Sequence, residues 1–124
     1  MGKDYKIAPN LTLGEFQSKD ATDIVFVHPA LLIGFQALRE EIAVPLRVLS
    51  GYRSAEHNAV IGGSVESRHL QGMAIDLTPM VKEDEVDDTL AQMHIIAKEL
   101  EFGGIKWYQS QRFLHVDVGV RRTW

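Results

Sequence analysis

The chain has 124 residues, the size of one compact domain, and its 45% apolar and 24% charged residues are the balance of a globular fold and not of a disordered or fibrous one. Thirteen Lys and Arg against seventeen Asp and Glu leave a formal net charge of −4 without a basic block, which argues against a nucleic-acid partner. Cysteine is absent, so disulfide scaffolds, thiolate metal sites and thiol nucleophiles are excluded together.

The first residues lead into Ile7-Ala8-Pro9 without the apolar run of a secretory signal. Ala30 to Phe35 and Ile42 to Leu49 fall well short of the roughly 18 residues that a membrane span needs, so no membrane partner is expected. Asn10 to Phe16 reads as a capped single turn, with Thr12 as the cap and Phe16 turned inward. A helix starts at His28-Pro29, because proline suits the first helical position and Leu31, Leu32, Phe35, Leu38 and Ile42 recur near helical spacing. Leu46 to Ser50 is a strand that breaks at Gly51-Tyr52, and a short helix runs from Ser54 to Ile61. Gly62 to Ser67 is a loop, and Met73 to Thr78 is a strand ending at Pro79.

The clearest helix is Lys82 to Leu100, where Val86, Leu90, Met93, Ala97 and Leu100 step by four and three and Glu83, Asp84 and Glu85 suit the positive end of the dipole. Gly103-Gly104 stops it, and strands Ile105 to Tyr108 and Arg112 to Val118 follow. Helices beside an antiparallel hairpin give an α+β class: one domain over residues 1–124, a central antiparallel sheet flanked by helices, expected to be a monomer.

His69 and Asp76 lie seven apart across Gly72, and His115 lies thirty-nine further on in the last strand. Two histidines and one carboxylate leave a coordination position open, the form of a catalytic zinc site that brings the pKa of water to about 7 for hydrolysis. His115-Val116-Asp117 with a further histidine also fits a non-haem iron oxygenase. That class places its remote histidine after the pair, however, and none follows here.

Ser50-Gly51-Tyr52-Arg53-Ser54, Asn58 with Gly62-Gly63, Ser67-Arg68-His69-Leu70-Gln71-Gly72-Met73-Ala74-Ile75-Asp76, and Phe113-Leu114-His115-Val116-Asp117-Val118-Gly119 with Arg122 and Trp124 together resemble the zinc D-alanyl-D-alanine carboxypeptidases and peptidoglycan endopeptidases. The resemblance runs from about Leu11 to Trp124. It implies the small α+β fold shared with the hedgehog signalling domain, one zinc ion held by His69, Asp76 and His115, and a peptidoglycan peptide as substrate. It also makes Arg53 the residue that polarises the scissile carbonyl or holds a substrate carboxylate, and Ser67 a substrate hydrogen-bond partner.

Better-known members carry an acid three positions before the last histidine, where this chain has Arg112, which cannot accept a proton. Period-two geometry puts Phe113, His115 and Asp117 on one face of the last strand, so Asp117 is assigned as general base, with a ligand-orienting carboxylate as its alternative. Asn58 and Tyr108 are candidate substrate contacts, whereas His94 and His57 read as structural or solvated. The expected function is hydrolysis of an amide bond in peptidoglycan stem peptides, endopeptidase over D,D-carboxypeptidase because the flanking loops are short. The alternative is a catalytically inert zinc-containing binding module on the same fold. Such a chain is expected to be made in the cytoplasm and to act at the cell wall, as a phage or prophage product would.

Overall fold

The computed structural model describes residues 2–20, 22 and 24–120, so Arg122 and Trp124 lie outside the described residues. Strands β1 (Lys6–Ala8) and β2 (Leu11–Thr12) form a small antiparallel ribbon that feeds α1 (Leu13–Phe16). Thr12 closes a capping box there: its hydroxyl accepts from the Glu15 N–H at 3.2 Å, and the Glu15 carboxylate accepts from the Thr12 N–H at 2.8 Å. This turn seats the fully buried Phe16. Helix α2 (Pro29–Ile42) opens with proline at its first turn and His28 as cap, and it buries Leu31, Phe35, Leu38 and Ile42.

Strands β3 (Leu46–Ser50), β4 (Ala74–Pro79), β5 (Gly104–Tyr108) and β6 (Phe113–Asp117) make one antiparallel sheet in the order β3-β4-β6-β5. Helix α3 (Ala55–Val60) and a 3-10 turn at Arg68–Gln71 lie in the connection from β3 to β4. Helix α4 (Val86–Glu99) crosses back over the sheet, touching β4, β5 and β6 and packing on α2.

Side-chain alternation divides the sheet. Val48, Ile75, Leu77, Leu114 and Val116 meet Leu90, Met93 and Ala97 of α4 in the core, while Asp76, His115 and Asp117 occupy the opposite face. The α+β class with a central antiparallel sheet is therefore observed.

Three local expectations need correction. The segment expected to start a long helix at Lys82 first makes a separate 3-10 turn over Glu83–Glu85, since Lys82 supplies no side-chain cap and its carbonyl accepts from the Glu85 N–H. At the other end the helix stops at Glu99, with Leu100 as cap and a positive φ of 61° at Glu101, so the reversal precedes Gly103-Gly104. Arg112 is outside the last strand: with φ 61° it closes the β5–β6 turn, its N–H donating to the Tyr108 carbonyl at 2.7 Å.

Candidate metal centre and cleft

The sheet register places the first two candidate ligands side by side. Asp76 pairs directly with His115 across β4 and β6, and the same row continues to Ser50 on β3 and Lys106 on β5. His69 arrives from the 3-10 turn, whose first free N–H groups are met by Ser67: its hydroxyl accepts from the His69 N–H at 3.2 Å. Gly72 ends that turn at φ 65°, and a Cβ there would run into the backbone of Phe26, so only glycine allows the strap before α2 to pass this close. The three donor residues are buried, and one ligand atom from each lies within 4.8 Å of the others.

The hydrogen bonds fix which nitrogen of each ring faces inward. His69 Nδ1 lies 2.7 Å from the Gly51 carbonyl, which can only accept, so that nitrogen carries the proton and Nε2 turns its lone pair to Asp76 Oδ1 at 3.3 Å. His115 is held the other way round. Its Nε2 lies 2.7 Å from Asp117 Oδ2 and its Nδ1 2.9 Å from Asp76 Oδ1, so in the tautomer that donates from Nε2 to Asp117 the Nδ1 lone pair turns to the cluster. Lone pairs from two imidazoles and a carboxylate converging on one point repel one another unless a cation or a proton sits among them. This donor set fits a divalent metal of the zinc class.

The metal-free titration of these groups follows the same logic. Burial works to raise the Asp76 carboxyl, but hydrogen bonds and charge from His115 and His69 outweigh it and hold Asp76 well below the usual carboxylate range. For His115, burial works downward and the hydrogen bonds to Asp117 and Asp76 overcome it, raising the imidazolium pKa.

Arg53 stands beside the cluster. Its guanidinium is 3.6 Å from Asp76 Oδ2, and it donates from Nε to Ser50 Oγ at 3.1 Å and from Nη1 to Asn58 Oδ1 at 3.2 Å. Burial lowers its pKa, opposed by Asp76 and Tyr108, and it remains a cation throughout the working range.

A cleft of about 730 Å³ opens over the cluster. His69, Asp76, His115 and Arg53 line its floor region, the loop from Ile61 to Arg68 contributes one set of lining residues, and Tyr108, Gln111 and Phe113 contribute another. Tyr108 stacks on Phe113 with ring centroids 4.4 Å apart. Ser67 and Tyr108 line the cleft, and the structure brings His69, Asp76, His115 and Arg53 together beside it.

Two expected site residues are elsewhere. Asn58 is buried, accepting from Arg53 and donating from Nδ2 to the Ser64 carbonyl at 2.9 Å, so it braces Arg53 and the loop and does not meet a ligand in the cleft. Asp117 has no exposed surface; its Oδ2 holds His115 and its Oδ1 accepts from Arg68 at 2.6 Å. A carboxylate enclosed behind a ligand histidine cannot take a proton from water in the cleft, so the geometry removes the base assignment and leaves the orienting one. The reason is Gly104, paired with Asp117 across β5 and β6: a Cβ there would collide with the carboxylate, so its absence opens the hole into which Asp117 sinks. Arg112 points away from the cleft to Glu83 and Asp87 at the start of α4.

Sequence reasoning assigned nothing to Arg68, Ser50 or Lys106. The signal for Ser50 and Lys106 was their register with Asp76 and His115, which only strand pairing reveals.

Against this geometry, the Peptidase M15 family profile matches residues 9–117. The chain belongs to the Peptidase M15 family. Among similar proteins of known name is the probable peptidoglycan L,D-endopeptidase MepK of Haemophilus influenzae, 34% identical over 88 residues that span 64% of this M15 chain and 42% of that protein. The peptidoglycan L,D-endopeptidase MepK of Escherichia coli K12 is 26% identical over 117 residues, 88% of this chain and 60% of that one. The chain thus spans about half the length of the curated relatives it matches. Among solved structures, the L-Ala D-Glu endopeptidase ChiX of Serratia marcescens superposes with a TM-score of 0.53 at 25% identity, covering 75% of this chain and 80% of that one.

Proposed function

We propose that this M15 chain is a zinc-dependent peptidase that hydrolyses an amide bond within peptidoglycan stem peptides, acting at the cell wall. The observation that carries the reading is the convergence of His69 Nε2, Asp76 Oδ1 and His115 Nδ1, each ring fixed through its outer nitrogen, at the floor of an open cleft with Arg53 beside it. The names of the relatives, peptidoglycan L,D-endopeptidase and L-Ala D-Glu endopeptidase, support the substrate class and favour a cut within the peptide over removal of a terminal residue. Zinc bound by these three residues would supply a Lewis acid for the scissile carbonyl and acidify water.

The chain's own residues do the rest. Arg53, locked by Ser50, Asn58 and Asp76, offers a fixed guanidinium for the oxygen that gains negative charge as the carbonyl becomes tetrahedral. Ser67 and the stacked Tyr108–Phe113 pair line the cleft that would receive the peptide. Asp117 keeps His115 in the tautomer that presents Nδ1. Among the described residues lining the cleft, Asp76 and Glu66 are the carboxylates, and Glu66 lies exposed on the loop.

The test is mass spectrometry of defined stem peptides incubated with zinc-loaded protein beside a chelated control. Internal cleavage that disappears with chelator supports the reading. Release of only a terminal D-alanine would make the protein a carboxypeptidase, and intact peptides from protein that retains zinc would make it the inert binding module.

A further inference from the structure

We propose that Arg68 is a positioning residue for the metal centre, holding Asp117, and through it His115, in the orientation that aims Nδ1 at Asp76 and His69. This rests on the reading of those three residues as metal ligands. Arg68 precedes His69 in the 3-10 turn, yet its guanidinium reaches across to β6 and the segment after it. Nη1 donates to Asp117 Oδ1 at 2.6 Å and to the Val118 carbonyl at 3.3 Å, and Nη2 donates to the Val120 carbonyl at 2.7 Å. One side chain therefore links the turn that carries His69 to the strand that carries His115.

The chain of contacts leaves little slack. Asp117 is wholly enclosed, and a buried carboxylate requires both a counter-charge and filled hydrogen-bond positions. Arg68 supplies the charge to one oxygen, while the other oxygen receives His115 Nε2–H. Removing Arg68 takes away the guanidinium that holds Asp117 Oδ1, which loosens the carboxylate and with it the His115 ring. The planar guanidinium meets a carboxylate and two carbonyls at once, which an ammonium can do only in part.

The lining of the cleft includes Arg68, so the competing role is direct contact with substrate. The two roles separate by experiment. Zinc affinity of Arg68→Gln, Arg68→Lys and Gly104→Ala is measured by chelator competition, the His115 tautomer is read from long-range proton–nitrogen NMR of the metal-free proteins at a pH where the ring is neutral, and kcat and KM are taken on a stem peptide. Arg68→Gln is expected to weaken zinc binding about 10- to 100-fold and to abolish the single Nε2-protonated tautomer. It should lower kcat with KM held within about twofold, and Arg68→Lys should recover part of each loss.

Gly104→Ala, which crowds the Asp117 carboxylate without removing any charged group, should weaken zinc and blur the tautomer in the same way. It carries the test should Arg68→Gln fail to fold. Unchanged zinc affinity and tautomer with a raised KM would overturn the proposal in favour of substrate contact. A lowered melting temperature with both site readouts unchanged would overturn it in favour of a purely structural link. Wild-type protein that binds no zinc would remove the metal reading itself, a failure separate from that of Arg68, which the tautomer still judges.

Discussion

At the scale of the residue, the site works because each side chain is fixed by a partner that limits what it can do. Arg53 has its Nε and Nη1 committed and its charge beside Asp76, so Arg53→Lys keeps the charge but not the geometry. Loss of one oxyanion donor costs about 10²-fold or more, so turnover should fall by that order with zinc still bound. Steady-state kinetics with metal analysis checks this, and an unchanged rate would remove Arg53 from the chemistry.

The titration of His115 gives a pH prediction for the metal-free protein. Its pKa is raised, so its stabilising contribution is complete below the unfolded value of 6.5 and is lost as pH rises through the folded value. Asp76 is lowered, so its contribution is present above 3.8 and lost as pH falls through its folded value. Chelated protein should therefore melt at lower temperature as pH climbs past about 6.5, whereas zinc affinity should rise because the metal no longer displaces a proton from His115. Melting curves and zinc titrations across pH check both signs, and a zinc affinity that falls with rising pH would contradict the arrangement.

The clustering of the three candidate ligands was legible in the sequence because the word from Ser67 to Asp76 and the later His115 carry it directly. The fate of Asp117 was not. Strand alternation gives the face a residue occupies but not the depth to which it sinks, and that depth depends on a glycine on the neighbouring strand, thirteen positions before Asp117. Asn58 was misplaced for a similar reason: helical position shows that it follows Arg53 closely, not that it is enclosed between Arg53 and the Ser64 carbonyl.

At the scale of the element, the architecture puts the three proposed ligands on structures that cannot drift independently. Two come from directly paired strands, and the third from a turn pinned by Ser67 and Gly72. Arg112 belongs to the frame around this site. Its guanidinium ties the β5–β6 turn to Glu83 and Asp87, and its carbonyl accepts from Thr78 Oγ1 at 3.0 Å. Arg112→Ala should leave kcat within about twofold and zinc affinity unchanged, whereas a large loss of kcat would return Arg112 to the site.

Helix α2 ends on an exposed residue in the left-handed region, Ala43 at φ 59°, where glycine carries no Cβ penalty. Ala43→Gly should stabilise the fold by about 0.5–1 kcal/mol in denaturant unfolding without altering activity. Hydrophobic spacing revealed α2, α4 and the strands well. Their ends were harder to read, because Glu101 and Arg112 take positive φ without being glycine, and local hydrogen bonds, not residue type, put them there.

At the scale of the whole molecule, one core built by α2, α4 and one sheet face supports a polar site on the other face. Leu90 is fully buried in that core, and Leu90→Ala should cost about 2–5 kcal/mol of stability. A metal bound by the turn at Arg68–Gln71 and by β4 and β6 would act as a staple between them. Binding to the folded state alone adds about 4 kcal/mol when free zinc exceeds Kd a thousandfold, so chelation should lower the melting temperature clearly.

The most direct test is a crystal structure of the zinc-loaded protein with diffraction collected on either side of the zinc absorption edge. The account predicts one anomalous peak bonded to His69 Nε2, an Asp76 oxygen and His115 Nδ1, with Asp117 still on His115 Nε2 and a coordination position open to the cleft. A peak elsewhere, no peak at all, or Asp117 bonded to the ion in place of one of the three would contradict it.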